Sequence, residues 1–473
     1  MNVSVVKNNF IIDALKYLPI KILPAASGLL TIFVLTKYLS TDNYINYTFL
    51  ITTLLLINQL CGGWVNSSMM YFIPKSENVS EENKLINHVF IIELIFSIVG
   101  FLILFATIYY EFNDINISLI ICFIFLLQIS INFINSYLQS KRLIKAQVVS
   151  TTLQSMIQIF ALLIVYYYYE NDLFLYLVFF SISFIVSLAS LFFNKNISFD
   201  VKLAKYNKTL IVNILSFGMP LCIWFFSTQA YSVGDRILLK YFDVSYGVVN
   251  YVAFRDLATG LSGFISMPLL FASHPIIMNL VLKENNKIGA AGVIVKNINI
   301  LLLTFLPCIL IVYFYGQKIF LLFLGSKYIL SPFQMVIVLL TILIGCISVY
   351  LQKGLEVSSK TKHMMISAIV VTITSISLNI IFIPLYGVSV SIIIGLFAQV
   401  LYSFLIVIKS NKILKIDAKK IYLPQFICFL ILSFLIKFLL LDNELLITIA
   451  STFVLFFVLI ICFNKLKLTF KNK

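Results

Sequence analysis

Apolar stretches alternate with short polar connections along the whole chain. They fall at residues 10–38, 44–72, 86–110, 115–140, 146–169, 172–194, 209–240, 246–276, 293–315, 333–353, 364–385, 387–408, 422–440 and 444–463. An α-helix needs about 20 mostly apolar residues to cross a bilayer core of about 30 Å. The pattern therefore predicts fourteen transmembrane helices and an all-α polytopic membrane protein. The connections are short, so successive helices are antiparallel, and no loop on either side is long enough to fold as a domain.

Composition agrees with the pattern. Of 473 residues, 61% are hydrophobic and 11% charged, with a mean hydropathy of +1.03; a soluble domain has about 25% charged residues. Met1–Asn9 is short and polar and runs straight into the first span, which gives no cleavable signal pattern. The net charge of +15 would suggest nucleic acid in a soluble protein. Here it reads as topology, because cytoplasmic loops collect lysine and arginine. Twenty-five of these residues lie on loops of one parity, and only Lys37, Lys240, Lys318, Lys327 and Lys437 on the other. Both termini are thus expected in the cytoplasm. The seven cysteines lie in apolar stretches without a CxxC pair, and the three histidines are scattered. They predict no metal site, and nothing in the sequence calls for a cofactor.

Charges inside the spans are the informative residues, since one at the bilayer centre costs roughly 3 kcal/mol. The hairpin 209–277 carries four: Asp235 and Arg236 on the way out, Arg255 and Asp256 on the way back. Asp235 and Arg255 are equidistant from Ser245, and Arg236 and Asp256 from Tyr246. Two readings stay open: the four pair with one another, or they line a wet cavity. Arg255 lies about ten residues past the turn, which places it about 15 Å deep at 1.5 Å per residue. Lys21 in the first span, beyond Asp13 and Lys16, is a further candidate for a cavity. Polar residues recur at i, i+4, i+7, i+11, which stacks them on one helix face. The stripes are Gln128, Asn132, Asn135 and Gln139; Gln147, Thr151, Gln154 and Gln158; and Arg255, Thr259, Ser262 and Ser266. The first two read as interhelical hydrogen bonding, the third as a cavity face. Lys353, Glu356 and Lys360 read as a helix end among lipid headgroups. Glu93 is a buried acid with no partner in sight.

A short repeat is visible. Lys37-Tyr38-Leu39 followed by Asn46-Tyr47 is echoed by Lys240-Tyr241-Phe242 followed by Asn250-Tyr251. It predicts two six-helix lobes related by a pseudo-two-fold along the membrane normal, one of the transporter symmetries. The expected division is a lobe at 1–194, a cytoplasmic linker at 195–208, a second lobe at 209–408, and two added helices with a basic tail at 409–473.

Signatures of hydrolases, metalloproteases, P-loop enzymes and dinucleotide-binding enzymes are missing, and no loop could hold a donor sugar, so an enzyme is not expected. Three stretches carry a family resemblance: LPAASGLLTIFVLTKYLSTDNYINYTFL, GDRILLKYFDVSYGVVNYVAFRDLATGLSGFISMPLLFASHPII and IFIPLYGVSVSIIIGLFAQVL. Together they resemble polysaccharide exporters of the multidrug/oligosaccharidyl-lipid/polysaccharide flippase superfamily, of the Wzx type that handles O-antigen or capsule repeat units. That resemblance implies alternating access between two lobes and a lipid-linked oligosaccharide on undecaprenyl diphosphate as substrate. It implies cavity cations, here Lys21, Arg236 and Arg255, around the diphosphate, with Asp235 and Asp256 as tuning or coupling acids. It also implies membrane lipids, a polysaccharide polymerase and a chain-length regulator as partners, and no nucleic acid. Where the family has glycine in the loop between helices 1 and 2, this chain has Asn43; Gly247 keeps the glycine in the second half. A drug or cation antiporter of the same superfamily is the alternative with the same fold, but its cavity should be acidic. A membrane sugar polymerase or ligase is the alternative of another class, and the missing outer loop speaks against it.

Overall fold

The computed structural model describes residues 23–73, 76, 78–141, 143–168, 172–193, 207–244, 247–282, 284–324, 330–358, 360–439 and most of 452–465. Among these residues the regular elements are all helical. In chain order they are α1 (Leu23–Tyr38), α2 (Thr41–Phe72), α3 (Val79–Phe112), α4 (Ile115–Ser140), α5 (Ile144–Tyr168), α6 (Leu173–Phe192) and α7 (Lys208–Val233). There follow α8 (Asp235–Tyr241), α9 (Val248–Leu282), α10 (Lys287–Leu324), α11 (Pro332–Leu351), α12 (Lys353–Val357), α13 (Thr361–Ser410) and α14 (Leu423–Leu439). A last short apolar helix covers Thr452–Cys462.

Ten helices among the described residues are long and apolar enough to cross a membrane. One of them, α13, is two spans in a row. Its 50 residues contain Pro384 and a sharp break at Gly387, where φ is 59° and ψ −140°. Nine unbroken spans, the two arms of α13 and three shorter apolar helices make the fourteen that hydropathy predicts. The chain is a multi-pass membrane protein.

Helix ends run past the apolar windows. Hydropathy finds only the part of a helix that sits in hydrocarbon, whereas polar residues also form helix. The third span therefore begins at Val79, with Glu81 and Glu82 in its first turn, and not at residue 86. Caps set several boundaries. Asp114 accepts from the N–H groups of Asn116 (2.7 Å) and Ile117 (3.3 Å), and Asp172 from that of Leu175 at 3.0 Å. Ser331 and Gln334 form a reciprocal capping box behind Pro332. Asn43 lies inside the first turn of α2, its N–H donated to the Ser40 hydroxyl at 3.3 Å. A helical residue needs no positive φ, so the missing glycine costs nothing there. Gly247, by contrast, sits at φ 78° before α9, a region L-residues rarely adopt.

Two compact units can be described. The first comprises Met1–Val252 and Ala368–Leu385. Its core joins the second half of α2 to α3, α4 and α7 through Trp64, Val89, Phe133, Leu138, Ile214 and Leu221. Gly218 lets α7 approach α2 closely: a Cβ there would stand 2.3 Å from the Trp64 ring. The first arm of α13 joins this unit through the Thr372 hydroxyl, which donates to the Ser227 carbonyl at 2.8 Å. Away from the core, α3 leaves Leu94, Ile95, Ile98, Val99 and Leu102 exposed, an apolar band suited to lipid and not to water.

The second unit comprises Ala253–Ser367 and Tyr386–Lys473. Here α14 packs on α10. The Asn299 side chain donates to the Lys420 carbonyl and accepts from the Tyr422 N–H, both at 2.8 Å. Tyr313 and Phe434 meet with ring centroids 4.5 Å apart.

Candidate substrate site

In the first unit the site is built where α7 gives way to α8. Gly234 sits between them, and a Cβ on it would stand 2.3 Å from the Ala230 carbonyl oxygen. The tight turn starts a new helix at Asp235. Asp235 and Arg236 are both buried, at 6% and 9% exposure, six and five residues before the end of α8. The Tyr251 hydroxyl donates to Asp235 Oδ2 at 2.6 Å, a charge-assisted bond. Lys240, at the end of α8, pairs with Glu111 at 3.1 Å and stands 4.0 Å from the Phe112 ring and 4.3 Å from the Phe49 ring. This lysine of the repeat thus has a structural role, and its counterpart Lys37 lies 4.0 Å from the Phe33 ring.

In the second unit Arg255 is buried, at 6% exposure, and Asp256 is half-buried. Since α9 begins only at Val248, Arg255 is seven residues, about 10 Å, along it. Its stripe is uneven: Ser262 is buried, Ser266 half-buried and Thr259 exposed.

A second polar cluster was not foreseen. Lys353 is only 4% exposed, far from the headgroup-facing residue that its place at a helix end suggests. The chain breaks after α11 and turns inward as α12. Lys353 Nζ meets Glu356 Oε2 at 2.5 Å, and Gln352 Nε2 donates to Glu356 Oε1 at 2.8 Å. The Tyr402 hydroxyl donates to Gln352 Oε1 at 3.1 Å. His274 Nδ1 lies 3.9 Å from Glu356 Oε2. Gly354 permits the fold, since a Cβ there would stand 2.4 Å from Ser410 Oγ. The one hint in the sequence was this glycine between Lys353 and Glu356.

Lys21, with Asp13 and Lys16, lies outside the described residues. Of the other stripes, that on α5 bonds as expected at one point, where Ser27 Oγ donates to Gln158 Oε1 at 3.0 Å. On α4 the buried oxygens of Gln128 and Asn135 have no hydrogen-bond partner among the described residues. Along α14, Leu423, Ile427, Ile431 and Leu435 line an open apolar concavity of about 620 Å³.

Comparison with known proteins gives this geometry a setting. Residues 9–281 match the family model described as "Polysaccharide biosynthesis protein". No curated protein sequence matches the chain significantly. Among solved structures, the lipid II flippase MurJ in an inward closed conformation superposes with a TM-score of 0.66 at 13% identity, covering 96% of this chain and 98% of that one. An inward-facing multidrug resistance MATE transporter superposes with a TM-score of 0.60 at 12% identity, covering 83% and 94%. An outward-facing one gives 0.59 at 12% identity, covering 85% and 94%. At such identities the likeness establishes the fold.

Proposed function

The chain belongs to the polysaccharide biosynthesis protein family, and from that premise we propose that it flips lipid-linked oligosaccharides across the bacterial inner membrane by alternating access. The observation that carries the reading is the burial of arginine, Arg236 on the short helix α8 and Arg255 in the apolar span α9. A guanidinium binds phosphate through a rigid fork of N–H donors. It is therefore suited to a diphosphate that must leave the water on one side and re-enter it on the other. We assign each of these arginines, and Lys21, to the undecaprenyl diphosphate, with Asp235 and Asp256 tuning them. The prenyl tail stays in lipid, for which the apolar concavity on α14 is a fitting rest. The lobes 1–194 and 209–408 are the moving halves, and both termini face the cytoplasm. The product feeds O-antigen or capsule assembly, with a polymerase and a chain-length regulator as downstream partners.

The reading is tested in the producing bacterium. Deleting the gene should remove surface polysaccharide while lipid-linked repeat units accumulate on the cytoplasmic leaflet. Arg255→Ala at normal membrane abundance should reproduce that loss, and Arg255→Lys should restore part of it by keeping the charge without the fork. Lys360→Ala should leave export unchanged. Persistent surface polysaccharide after deletion, with no second exporter present, overturns the flippase. A reporter fused after Lys473 that faces outward overturns the orientation.

A further inference from the structure

Glu93 is an acid in the middle of an apolar span that this function leaves unused. It stands fourteen residues from the start of α3 and nineteen from its end, and it is 3% exposed. Among the described residues neither of its carboxyl oxygens has a hydrogen-bond partner. Ionisable residues inside a membrane are costly, and mark ion paths or proton relays when they occur.

The surroundings are also unusual. Glu93 faces the stretch Gln59–Gly63, where α2 winds as a π-helix. Such turns inside α-helices cluster at functional positions. A Cβ on Gly62 would lie 3.6 Å from Glu93 Oε1 and 3.5 Å from the Oδ1 of buried Asn58. Glycine therefore leaves a methyl-sized space between the carboxyl, the amide and the Ile129 side chain. The carbonyl of Leu60 in the same turn is held from two sides, by Trp64 Nε1 at 3.1 Å and Cys222 Sγ at 3.3 Å.

Other groups do not account for the acid. The cysteines and tyrosines on the elements packed against α3 are Tyr44, Tyr47, Cys61 and Tyr71 on α2, Cys122 and Tyr137 on α4, and Cys222 and Tyr231 on α7; thiols and phenols carry no charge at neutral pH. The charged residues of these elements lie at helix ends. Glu81, Glu82, Lys84, Lys141 and Lys208 are at one end, and Asp42, Glu111 and Asp114 at the other. His88, also towards the first end, is engaged with the Asn207 N–H and the Lys84 carbonyl. A carboxylate with neither donor nor cation is very costly to bury. These surroundings accept the neutral acid.

We propose that Glu93 is a proton-binding site whose loading and unloading is coupled to the transport cycle. It holds its proton while the π-turn is packed against it, and gives it to water when that turn rearranges and opens the space beside Gly62. The step makes and breaks one carboxyl O–H bond, with water as the other proton carrier. Its role in coupling rests on the flippase reading; the proton site itself does not.

Infrared spectroscopy on the purified full-length protein, in vesicles of phosphatidylethanolamine and phosphatidylglycerol, reads the site directly. The wild type should show a protonated-carboxyl band that titrates with pH and is lost in Glu93→Gln. Gly62→Ala should keep the band but slow its exchange with deuterium. A wild-type spectrum without that band, or one identical to that of Glu93→Gln, overturns the site, whatever the substrate proves to be. Coupling is read in the producing bacterium at matched abundance. Glu93→Gln, close in shape but unable to release a proton, should lose polysaccharide export, and Glu93→Asp should keep part of it. Export by Glu93→Gln at the wild-type level overturns the coupling role.

Discussion

The hydroxyl of Tyr251 donates to the carboxylate of Asp235 across the turn between α8 and α9, at 2.6 Å. Both residues are buried, so the acid at the start of α8 has a donor fixed sixteen residues further along the chain. The bond ties the helix that carries Asp235 and Arg236 to the start of α9.

Removing that donor should be costly. Tyr251→Phe leaves the buried carboxylate one bond short, and hydrogen bonds to charged groups contribute about 1.5–3 kcal/mol. Unfolding of the purified protein in detergent should show a loss of that size. Tyr241→Phe, at a ring 76% exposed, should change stability by less than about 0.5 kcal/mol. Equal stability of Tyr251→Phe and the wild type would mean that the bond contributes nothing.

The break in α13 gives a second comparison between two glycines of one helix. Gly387 has a backbone conformation open essentially to glycine alone. Gly395 is in the helix proper with nothing within 4 Å of its Cβ direction. Gly387→Ala should destabilise by about 1–3 kcal/mol, whereas Gly395→Ala should be neutral or gain up to about 1 kcal/mol from helix propensity. Thermal unfolding of the two variants side by side checks the sign of each.

These residues also show what was legible in the sequence. The number and order of the spans follow from hydropathy, because crossing hydrocarbon imposes length and apolarity on each helix separately. The split of α13 was legible for the same reason, to within one residue of Gly387. Asp114 and Asp172 stand in the short connections between apolar stretches; that they are caps depends on backbone geometry. The buried charges of 235–256 were visible as anomalies, but their partners were not. Tyr251 gives no sign of its bond to Asp235, since that contact depends on how the chain turns between α8 and α9. Lys353 was misplaced altogether. A lysine at the end of an apolar stretch ordinarily reaches water, and only the packing of Gly354 on Ser410 turns this one inward.

The inward turn of Lys353 leads to the last prediction. Its ammonium is buried with one carboxylate, Glu356, which also takes a hydrogen bond from Gln352, itself held by Tyr402. Removing one partner of a buried pair strands the other charge and typically costs about 3–5 kcal/mol. Glu356→Gln leaves Lys353 without its counter-ion and should lose stability on that scale. Lys353→Met should lose less, because Glu356 is more exposed than Lys353 and keeps the Gln352 donor. Making both changes removes both charges, so the double variant should be clearly more stable than the sum of the single losses predicts, by more than about 1 kcal/mol. A double-mutant cycle on unfolding in detergent measures this directly. Additive losses would show that the two side chains meet without stabilising one another.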